Sequence, residues 1–455
     1  MSAAPCVGPR PSGAPGARRE TPATVTPHPY SARCAAALDE ALAAAPFYRG
    51  WRERDPGPTR PVAERLAALP VLSRRELRAH VPDGFISGGS RARDGFASGA
   101  IEIVSTSGTT SERAAVVWHQ PWWDASLRAA ARLNPALEAV YGGAYREAVL
   151  TSPMCTGNLC HVGELPAAER TVGNILFLNQ ELDPARWGEA GARRMAAELA
   201  AFRPDVLEAD PAYLAALARA CRHAGVALHR PRCIALTYEF PSRLHLREIR
   251  RAFPGVPAVS SYGSTETGHV FIECEAGRLH QNTATCHVEI QPLRAGRGDP
   301  RVGRVLVTTL GNPWFALLRF DVGDLARLHD GPPCECGRGD GLTLAAIEGR
   351  IRDLTFDGEG RAVTVRQVDD ALAAIEGLLG YRVEQAAPTR YLVRYVAEPA
   401  TPAGIADELT ARLRALYGPG AEVAARRESA LAPEGSGKYR LAGTVGEWNP
   451  EELFA

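Results

Sequence analysis

The sequence predicts an α/β protein, in which a large N-terminal domain of parallel β-sheets with flanking helices is followed by a small α+β C-terminal domain. Between residues 101 and 260, short apolar runs alternate with helical stretches, as in parallel sheets covered on both faces. Short alternating strands with Gly turns follow from Val288 and predict a small β-rich subdomain. The last segment, about one hundred residues long, repeats strand and helix and is large enough for a domain of its own.

The first elements are predicted by local signals. Ser73-Arg-Arg-Glu76 is a capping box and predicts the start of a helix. β-branched residues predict strands at Ile101–Val104 and Val116–Trp118, and a helical stretch covers Trp123–Leu137.

The central region is organised as strands that each lead into a helix. Ligands bind at the carboxyl ends of such strands, where Tyr238-Glu239 and Tyr262–Glu266 lie. The predicted strands are Glu147–Leu150, Ile175–Leu178, Val206–Leu207, Cys233–Leu236 and the region of Val259, and the helices are Arg186–Phe202, Pro211–Ala224 and Arg243–Phe253. Later strands are predicted at Val288–Gln291, Gly303–Thr309, Ala316–Phe320 and Ala326–Leu328, before a helix at Val368–Leu378, a strand at Tyr391–Val396 and a helix at Ile405–Leu416.

Composition limits the classes of function. Lys and Arg number 52 and Asp and Glu number 52, a balance that argues against a nucleic-acid partner. No apolar run is long enough to cross a bilayer, and residues 1–30 lack the apolar core of a signal peptide. We therefore expect a disordered leader at residues 1–30, no membrane partner and a cytoplasmic location.

A hydroxyl-rich loop follows the strand at residues 101 to 104. Glycine lets backbone N–H groups approach closely, and Ser and Thr hydroxyls donate to oxygens, so the loop suits a polyphosphate. Its composition alone fits an ordinary surface loop as well. The residues predicted to bind phosphate are Thr106, Ser107, Gly108, Thr109, Thr110 and Ser111.

Four further motifs follow in a fixed order. They are Tyr262-Gly-Ser-Thr-Glu266, Arg319-Phe-Asp-Val-Gly-Asp324, Gly349-Arg-Ile-Arg-Asp353 and Gly437-Lys438. With the hydroxyl-rich loop, this ordered set resembles the adenylate-forming superfamily of acyl-CoA synthetases, peptide-synthetase adenylation domains and luciferases, and it is most similar to the phenylacetate–CoA ligase branch. The resemblance covers the chain from about residue 35 to its end.

The resemblance implies an ATP-using enzyme that makes acyl adenylates, with Mg²⁺ and CoA as further cofactors. It implies an N-terminal domain at 31–348 and a mobile C-terminal lid domain at 349–455, with Arg352 as the pivot. Lys438, Glu266 and Thr265 are the implied catalytic residues, acting on the α-phosphate and, for Glu266, on Mg²⁺. The implied nucleotide-binding residues, beyond the phosphate loop, are Glu239, Tyr262, Gly263, Ser264, Asp324 and Arg350.

The sequence departs from the family pattern in three places. The phosphate loop continues with Glu112 and Arg113 instead of glycine, lysine and proline. Before the tyrosine motif, Phe240 follows Glu239 where the branch usually has proline, and the Gly-rich, Asn-containing turn after Asp353 is missing. These departures bear on the second substrate more than on adenylation.

Cysteine and histidine cluster in two short segments. Cys334-Glu-Cys336 is a tight Cys-x-Cys turn, and Cys274 and His280 are a Cys-x5-His pair. Three sulfurs and an imidazole predict a closed, structural zinc site, a site that some ligases of this branch carry. Cys286 or His287 can replace one ligand, and the alternative is a set of reduced surface thiols.

The acyl pocket is the least defined part. The resemblance makes His161, Asn158 and Tyr238 candidates to touch the acid, although His161 can equally serve as a hydrogen-bonded loop residue. Three tryptophans are either an aromatic wall or core residues: Trp118, Trp122 and Trp123.

We therefore expect an acid–CoA ligase that releases AMP and pyrophosphate, acting on a small carboxylic acid, with an aromatic acid favoured. The main alternative keeps the adenylation but passes the acyl group to an amine or another nucleophile. A non-catalytic nucleotide-binding protein is a third hypothesis, which the presence of Lys438 disfavours. The branch leaves a homodimer open.

Overall fold

The computed structural model of the protein describes residues 30–87, 90–105, 114–157, 159–399, 404–446 and 448–454. The predicted leader thus lies outside the described residues, except that Tyr30 begins the first helix. The α-helices are α1 Tyr30–Ala44, α2 Val62–Ala68, α3 Arg74–His80, α4 Ser90–Ser98, α5 Gln120–Ala131, α6 Pro135–Tyr141, α7 Pro153–Thr156, α8 Gly188–Phe202, α9 Pro211–His223, α10 Arg243–Ala252, α11 Val365–Leu372 and α12 Ile405–Tyr417. Short 3-10 helices lie at Pro46–Arg54, Leu159–His161, Ala167–Arg170, Pro184–Arg186, Ile351–Asp353 and Pro450–Leu453.

The strands of the large N-terminal part form one 12-stranded sheet and one two-stranded hairpin, β1–β2. The order in the large sheet is β11-β12-β13-β14-β10-β9-β8-β7-β6-β3-β5-β4. The strand bounds are β1 Glu102–Ser105, β2 Ala115–Trp118, β3 Glu147–Leu150, β4 Thr171–Val172, β5 Ile175–Phe177, β6 Val206–Ala209, β7 Cys233–Leu236, β8 Ala258–Ser264, β9 Gly268–Glu273, β10 Leu279–Gln281, β11 Cys286–Pro292, β12 Val302–Thr309, β13 Phe320–Leu328 and β14 Thr343–Arg350.

The centre of the sheet is parallel, as the sequence predicts. Strands β5, β3, β6, β7 and β8 pair in parallel, and β3 and β7 are buried at every position. Leu207 and Ile234 pack with the core of α8 to α10 on one face, while Val206 and Cys233 pack with α5 and α6 on the other. Burial on both faces explains why these strands are continuous apolar runs.

The predicted β-rich subdomain is the antiparallel half of the same sheet. Strand β8 turns into β9, which pairs with it antiparallel, and β10 to β14 continue from there. The carboxyl end of β8 therefore lies where the parallel and antiparallel halves meet. Ligands favour this kind of position in open α/β sheets.

Two predicted elements have different bounds. The helix predicted over Trp123–Leu137 is two helices, because Asn134 caps α6 by accepting from the Ala136 N–H and Pro135 cannot continue α5. The strand predicted at Ala326–Leu328 is confirmed as the end of β13, whereas the strand predicted at Ala316–Phe320 is wrong, because β13 begins only at Phe320. Arg319 has a φ of 49°, and its N–H donates to the Thr308 side-chain hydroxyl instead of to a backbone carbonyl of the neighbouring strand.

The C-terminal part has its own sheet and core. Strands β17 Leu378–Ala387, β18 Arg390–Ala397, β19 Glu422–Arg427 and β20 Ala442–Thr444 form a sheet in the order β19-β18-β17-β20, and β15 Thr355–Phe356 pairs with β16 Ala362–Val363. Helices α11 and α12 cover the core of this sheet. The α/β class with a smaller α+β unit is confirmed, and the boundary between residues 348 and 349 stays a prediction.

The C-terminal part docks on α10 through one buried carboxylate. Asp369 accepts from the Ser242 hydroxyl at 2.5 Å and from the Arg243 N–H at 2.8 Å. Ser242 is itself the N-cap of α10, so Asp369 extends that cap across the two parts of the chain. Among the described residues, no helix combines the length and the apolar character needed to cross a membrane.

Candidate active site

Three residues of the predicted nucleotide site meet at the junction of the two sheet halves. Tyr262 on β8 donates through its hydroxyl to Asp324 Oδ2 at 3.0 Å. Asp324 on β13 lies opposite Arg350 at the end of β14, and Arg350 Nε is 3.8 Å from Asp324 Oδ1. Burial and the neighbouring Asp324 carboxylate raise the pKa of Tyr262, so its ring is neutral. An aromatic face beside a carboxylate acceptor suits a base and its sugar.

The turn after Tyr262 requires glycine. A Cβ on Gly263 would lie 2.2 Å from the Gly268 carbonyl oxygen, so only glycine lets β8 and β9 close together. The Ser264 hydroxyl is 2.9 Å from the Thr267 hydroxyl and the Thr267 N–H donates to the Ser264 carbonyl, which fixes the turn that carries half-buried Thr265.

Glu266 is buried at the end of this turn. Its Oε1 lies 3.4 Å from Arg74 Nη1, and Arg74 Nη2 donates to the Val322 carbonyl. Mg²⁺ commonly binds through one or two carboxylates together with substrate phosphates, so a single buried carboxylate fits it. Arg74 adds positive charge at the same place.

Lys438 reaches this edge of the sheet from the C-terminal part. Its Nζ donates to the Tyr238 carbonyl oxygen at 3.0 Å, and the N–H of Tyr439 donates to Glu239 Oε1 at 2.6 Å. The Tyr213 hydroxyl donates to the Gly437 carbonyl at 2.9 Å. The segment that carries Lys438 is therefore bonded to residues that follow two neighbouring parallel strands, β6 and β7.

Two buried acids surround Lys438. Burial raises the pKa of Asp210 to about 7, although Lys438 opposes this effect. Burial and the neighbouring Asp210 raise the pKa of Glu239, while Lys438 and Arg350 lower it. Because Glu239 interacts with both cations, it links the Lys438 segment to the Asp324–Arg350 pair.

The predicted phosphate-binding residues 106–111 lie outside the described residues, as do Glu112 and Arg113. The strands on either side are described, and β1 pairs antiparallel with β2 so that Ser105 faces Ala115. Both strands were predicted from the sequence, and the structure shows that they pair with each other.

The four predicted zinc ligands come together. Their ligand atoms all lie within 4.8 Å of one another. The Cys274 and Cys334 sulfurs are 3.6 Å apart, and the Cys336 sulfur is 3.2 Å from His280 Nε2. Bonds of about 2.3 Å to sulfur and 2.0 Å to nitrogen in a tetrahedron need separations of this size, so the donor set fits zinc.

The two alternative ligands are placed elsewhere. The Cys286 thiol donates to the Asn282 carbonyl at 3.3 Å, and His287 Nδ1 is 2.7 Å from the Tyr30 hydroxyl. The other ring nitrogen of His280 lies 3.4 Å from the Thr343 hydroxyl, the kind of outer partner that orients a metal-binding imidazole.

The candidate acyl-pocket residues are only partly together. His161 is buried and lines a cavity of about 10 Å³ with Val149, Thr151, Pro153, Thr156, Phe177 and Asn179. The ring nitrogen Nδ1 of His161 and the Thr151 hydroxyl are buried there without a described hydrogen-bond partner. The cavity holds about one water, and Asn158 lies outside the described residues.

The tryptophans divide between the two interpretations. Trp122 is a core residue whose indole donates to the Leu310 carbonyl at 3.0 Å. Trp118 and Trp123 stack at 4.3 Å between ring centres, and Trp123 lies 5.0 Å from the His269 ring.

Sequence reasoning missed Asp210, Glu208 and Arg74. Asp210 precedes Pro211 at the start of a predicted helix, a cap signal that also places it at the carboxyl end of β6. Glu208 lies within β6, and Arg74 begins α3, so neither position marked it as part of a site.

Comparisons with known proteins agree with this fold. No protein-family profile matches the sequence. No curated protein matches it either. A crystal structure of 2-hydroxyisobutyryl-CoA ligase in the postadenylation state, in complex with R3-HIB-AMP, gives a TM-score of 0.68 at 18% identity over 92% of this chain and 89% of that chain.

Two further structures are also similar. The same ligase with 2-HIB-AMP and CoA in the thioesterification state gives a TM-score of 0.55 at 19% identity over 91% of this chain and 88% of that chain. An anthranilate CoA ligase in complex with anthranoyl-AMP gives 0.50 at 15% identity over 74% of this chain and 65% of that chain.

The chain therefore has the fold of adenylate-forming acyl-CoA ligases.

Proposed function

We propose that this protein activates a small carboxylic acid with ATP as an acyl adenylate and then transfers the acyl group to CoA, releasing pyrophosphate and AMP. One observation carries the proposal: Lys438 of the C-terminal part is bonded to the Tyr238 carbonyl oxygen just after β7, the strand that pairs with β8, which carries Tyr262 of the Tyr262–Asp324–Arg350 group. A cation delivered by a second domain to a nucleotide-sized site suits chemistry on a phosphate.

Each residue has a role that its position permits. Tyr262 packs on adenine, and Asp324, assisted by Arg350, accepts hydrogen bonds from the ribose hydroxyls. Thr265 donates to the α-phosphate, and Gly263 and Ser264 shape the turn beside it. Residues 106–111 hold the phosphates that leave as pyrophosphate.

Charge neutralisation drives the first step. The carboxylate and ATP are both anionic, so attack on the α-phosphate needs cations around the transferring group. Lys438 stabilises the α-phosphoryl oxygens as they gain charge, and Arg74 adds to the field near Glu266. Mg²⁺ bound at Glu266 would neutralise the phosphates.

The second step requires Lys438 to withdraw. We propose domains at residues 31–348 and 349–455 and a pivot at Arg352, whose guanidinium is 2.9 Å from Glu434 near the Lys438 segment. Rotation about this pivot would break the bonds of Lys438 and Tyr439 to residues 238 and 239 and open the site to a thiol.

The acid and the acceptor are defined less sharply. We propose a small or medium acid and favour an aromatic one, as in the phenylacetate–CoA ligase branch, because Trp118, Trp123 and Tyr238 offer aromatic surface near the site. An amine or another nucleophile is the alternative acceptor. The departure at Phe240 keeps this alternative open: in place of the usual proline, Phe240 lies under Arg366 of the C-terminal part, whose guanidinium carbon is 4.7 Å from the ring centre.

A structural zinc and a cytoplasmic location belong to the same proposal. Through Cys274 and His280, zinc at the four-residue cluster would join β10 and the turn before it to the loop of Cys334 and Cys336. Cys34, Cys221 and Cys233 are buried free thiols, as expected in a reducing compartment. A homodimer stays a prediction.

The test is acid-dependent release of AMP and pyrophosphate from ATP, measured with pooled acids that are then split. Reactions contain CoA, hydroxylamine or neither. Acid-dependent release with CoA consumed to a thioester supports the proposal. Release that hydroxylamine captures while CoA is untouched favours the alternative acceptor, and no acid-dependent release from any pool refutes adenylation.

A further inference from the structure

Tyr238 has a backbone conformation that is rare for an aromatic residue. Its φ is 73°, in the left-handed region that disfavours residues with a Cβ. The Glu239 N–H donates to the Thr237 carbonyl at 2.9 Å, so Tyr238 is the central residue of a γ-turn with positive φ, a rare and strained type. Strain of this kind persists only where the surroundings hold it, and it is concentrated at functional sites.

The surroundings hold Tyr238 by its side chain. The Tyr238 hydroxyl donates to Glu208 Oε1. Glu208 is fixed within β6, which pairs in parallel with β7, the strand that leads to Tyr238. The Thr237 N–H donates to the Ala209 carbonyl at 3.0 Å. Strand β6 therefore holds Tyr238 both through its hydroxyl and through the backbone of the residue before it.

Glu208 has no other described task. Its register partner across the sheet is Val149 on β3, and the buried carboxyl group of Glu147, two residues before Val149, has its pKa raised by burial and by the Glu208 carboxylate. Both the protonated and the ionised carboxyl group can accept a hydrogen bond, so Glu208 can hold the Tyr238 hydroxyl in either form.

The strained turn gives the Tyr238 carbonyl its direction. Its oxygen accepts from Lys438 Nζ at 3.0 Å, and the next residue, Glu239, accepts from the Tyr439 N–H. Two consecutive residues of the turn thus bind two consecutive residues of the C-terminal part. If the turn relaxed to negative φ, the Tyr238 carbonyl would point elsewhere, and Lys438 would lose its acceptor.

We propose that Glu208 and Tyr238 are positioning residues for Lys438: the hydroxyl–carboxyl bond holds the γ-turn whose carbonyl fixes the ammonium group at the reacting phosphate. This inference rests on the proposed function, because Lys438 acts only in adenylation. Tyr238 thereby has a role beyond lining the pocket for the acid.

The test compares five variants with wild type, one of which is the Tyr238→Phe/Glu208→Leu double variant. Tyr238→Phe removes the hydroxyl, Glu208→Leu removes its acceptor, and Glu208→Gln keeps an acceptor oxygen. Tyr395→Phe, in the buried core of the C-terminal part, is the matched control. Each variant is assayed for acid-dependent ATP–pyrophosphate exchange and, separately, for thioester formation from supplied acyl adenylate and CoA.

We expect Tyr238→Phe and Glu208→Leu each to lower the exchange rate about tenfold, the effect of losing one hydrogen bond. Thioester formation should be unchanged. Glu208→Gln should keep most of the exchange rate, and the double variant should lose no more than either single one, because both remove the same bond.

The inference is overturned if Tyr238→Phe has the same ATP–pyrophosphate exchange rate as wild type. It is also overturned if the variant loses both half-reactions together, which would indicate general damage to the protein. An effect on the KM for the acid alone would also overturn it and place Tyr238 in the pocket wall. Failure of the proposed function is distinct, since wild-type protein would then show no exchange at all.

Hydrogen exchange at residues 434–439 is a second measurement, and it does not require enzyme activity. The Tyr439 and Gly437 amides are bonded in the docked segment. Tyr238→Phe should increase their exchange relative to Tyr395→Phe, and equal protection in the two variants would count against the inference.

Discussion

Asp210 is a buried acid that caps α9 and also lies near Lys438. Its Oδ1 accepts from the Ala212 N–H at 2.8 Å and caps α9, while its Oδ2 is buried without a hydrogen-bond partner among the described residues. Burial raises its pKa from 3.8 to about 7, and Lys438 is the nearby cation that opposes this effect. Asp210 therefore binds its proton more tightly in the folded state than in the unfolded chain.

This difference predicts the pH dependence of Asp210→Asn. Between about pH 4 and pH 7 the folded protein holds a proton that the unfolded chain has lost, so wild-type stability falls as pH rises, by about 1.4 kcal/mol per pH unit from this group. The asparagine keeps the cap and lacks the titration. Urea unfolding at pH 5 and pH 8 should show the variant gaining on wild type at the higher pH, whereas parallel profiles would contradict the raised pKa.

The position of Asp324 predicts that its carboxylate recognises the ribose hydroxyls of ATP. Wild-type protein should prefer ATP to 2′,3′-dideoxy-ATP in kcat/KM, and Asp324→Asn should reduce that preference about tenfold or more, because hydrogen bonds to a charged acceptor are lost. Asp330→Asn changes an exposed carboxylate paired with Arg301 and is the control. If the Asp324→Asn and Asp330→Asn variants prefer ATP to 2′,3′-dideoxy-ATP to the same extent, Asp324 does not hold the ribose.

Among larger units, the loop of residues 434–439 is the most closely fitted. Gly437 has a φ of 82°, and a Cβ there would lie 2.1 Å from the Ser152 hydroxyl oxygen. Gly435, two residues earlier, has open space around the same position. The loop is therefore packed tightly against the N-terminal part at Gly437, whereas the space around Gly435 is open.

Gly437→Ala should lower ATP–pyrophosphate exchange about 100-fold, because displacing the loop moves Lys438 by an ångström or more. Gly435→Ala should leave the rate unchanged. Thioester formation from supplied acyl adenylate separates the effect on docking from unfolding. Equal rates in the two alanine variants would show that the loop does not need this fit.

The Cys/His cluster makes its own prediction. Purified protein should contain one zinc per chain, and Cys336→Ser should lose the metal and lower the thermal midpoint, because the ion would connect β10 and the turn before it to the loop of Cys334. Cys221→Ala removes a buried thiol far from the cluster and should keep the zinc. Metal-free wild-type protein would return the four residues to ordinary thiols and an imidazole.

At the scale of the whole molecule, order along the chain predicts the site better than composition does. Tyr262 lies near the end of β8 and Arg350 at the end of β14, while Asp324 lies inside β13, so the order of the motifs and the family resemblance, not the strand positions, predicted their meeting. Cys334 and Cys336 needed only their spacing and a second pair in the same region.

The sequence alone did not predict which distant strands pair, or in which register. Glu208 and Glu147 become neighbours because β3 pairs with β6, about 60 residues further along, and nothing local signals that pairing. The positive φ of Arg319, which ends a predicted strand, likewise depends on a Thr308 hydroxyl that only the folded sheet brings near.

The docking of the two parts of the chain is also set by tertiary contacts. Asp369 joins Ser242 and Arg243, and Lys438 joins Tyr238. Together these bonds hold Lys438 at the candidate site, the position that the proposed adenylation requires.

The most direct test of the central claim follows an oxygen atom. In the proposed reaction a carboxylate oxygen attacks the α-phosphate, pyrophosphate leaves, and AMP later departs with that oxygen. With an acid labelled by ¹⁸O in its carboxylate, mass spectrometry should find one labelled oxygen in AMP. Label that appears in inorganic phosphate, together with ADP, would mean that the acid attacks the γ-phosphate, and the account of Lys438 and its site would be wrong.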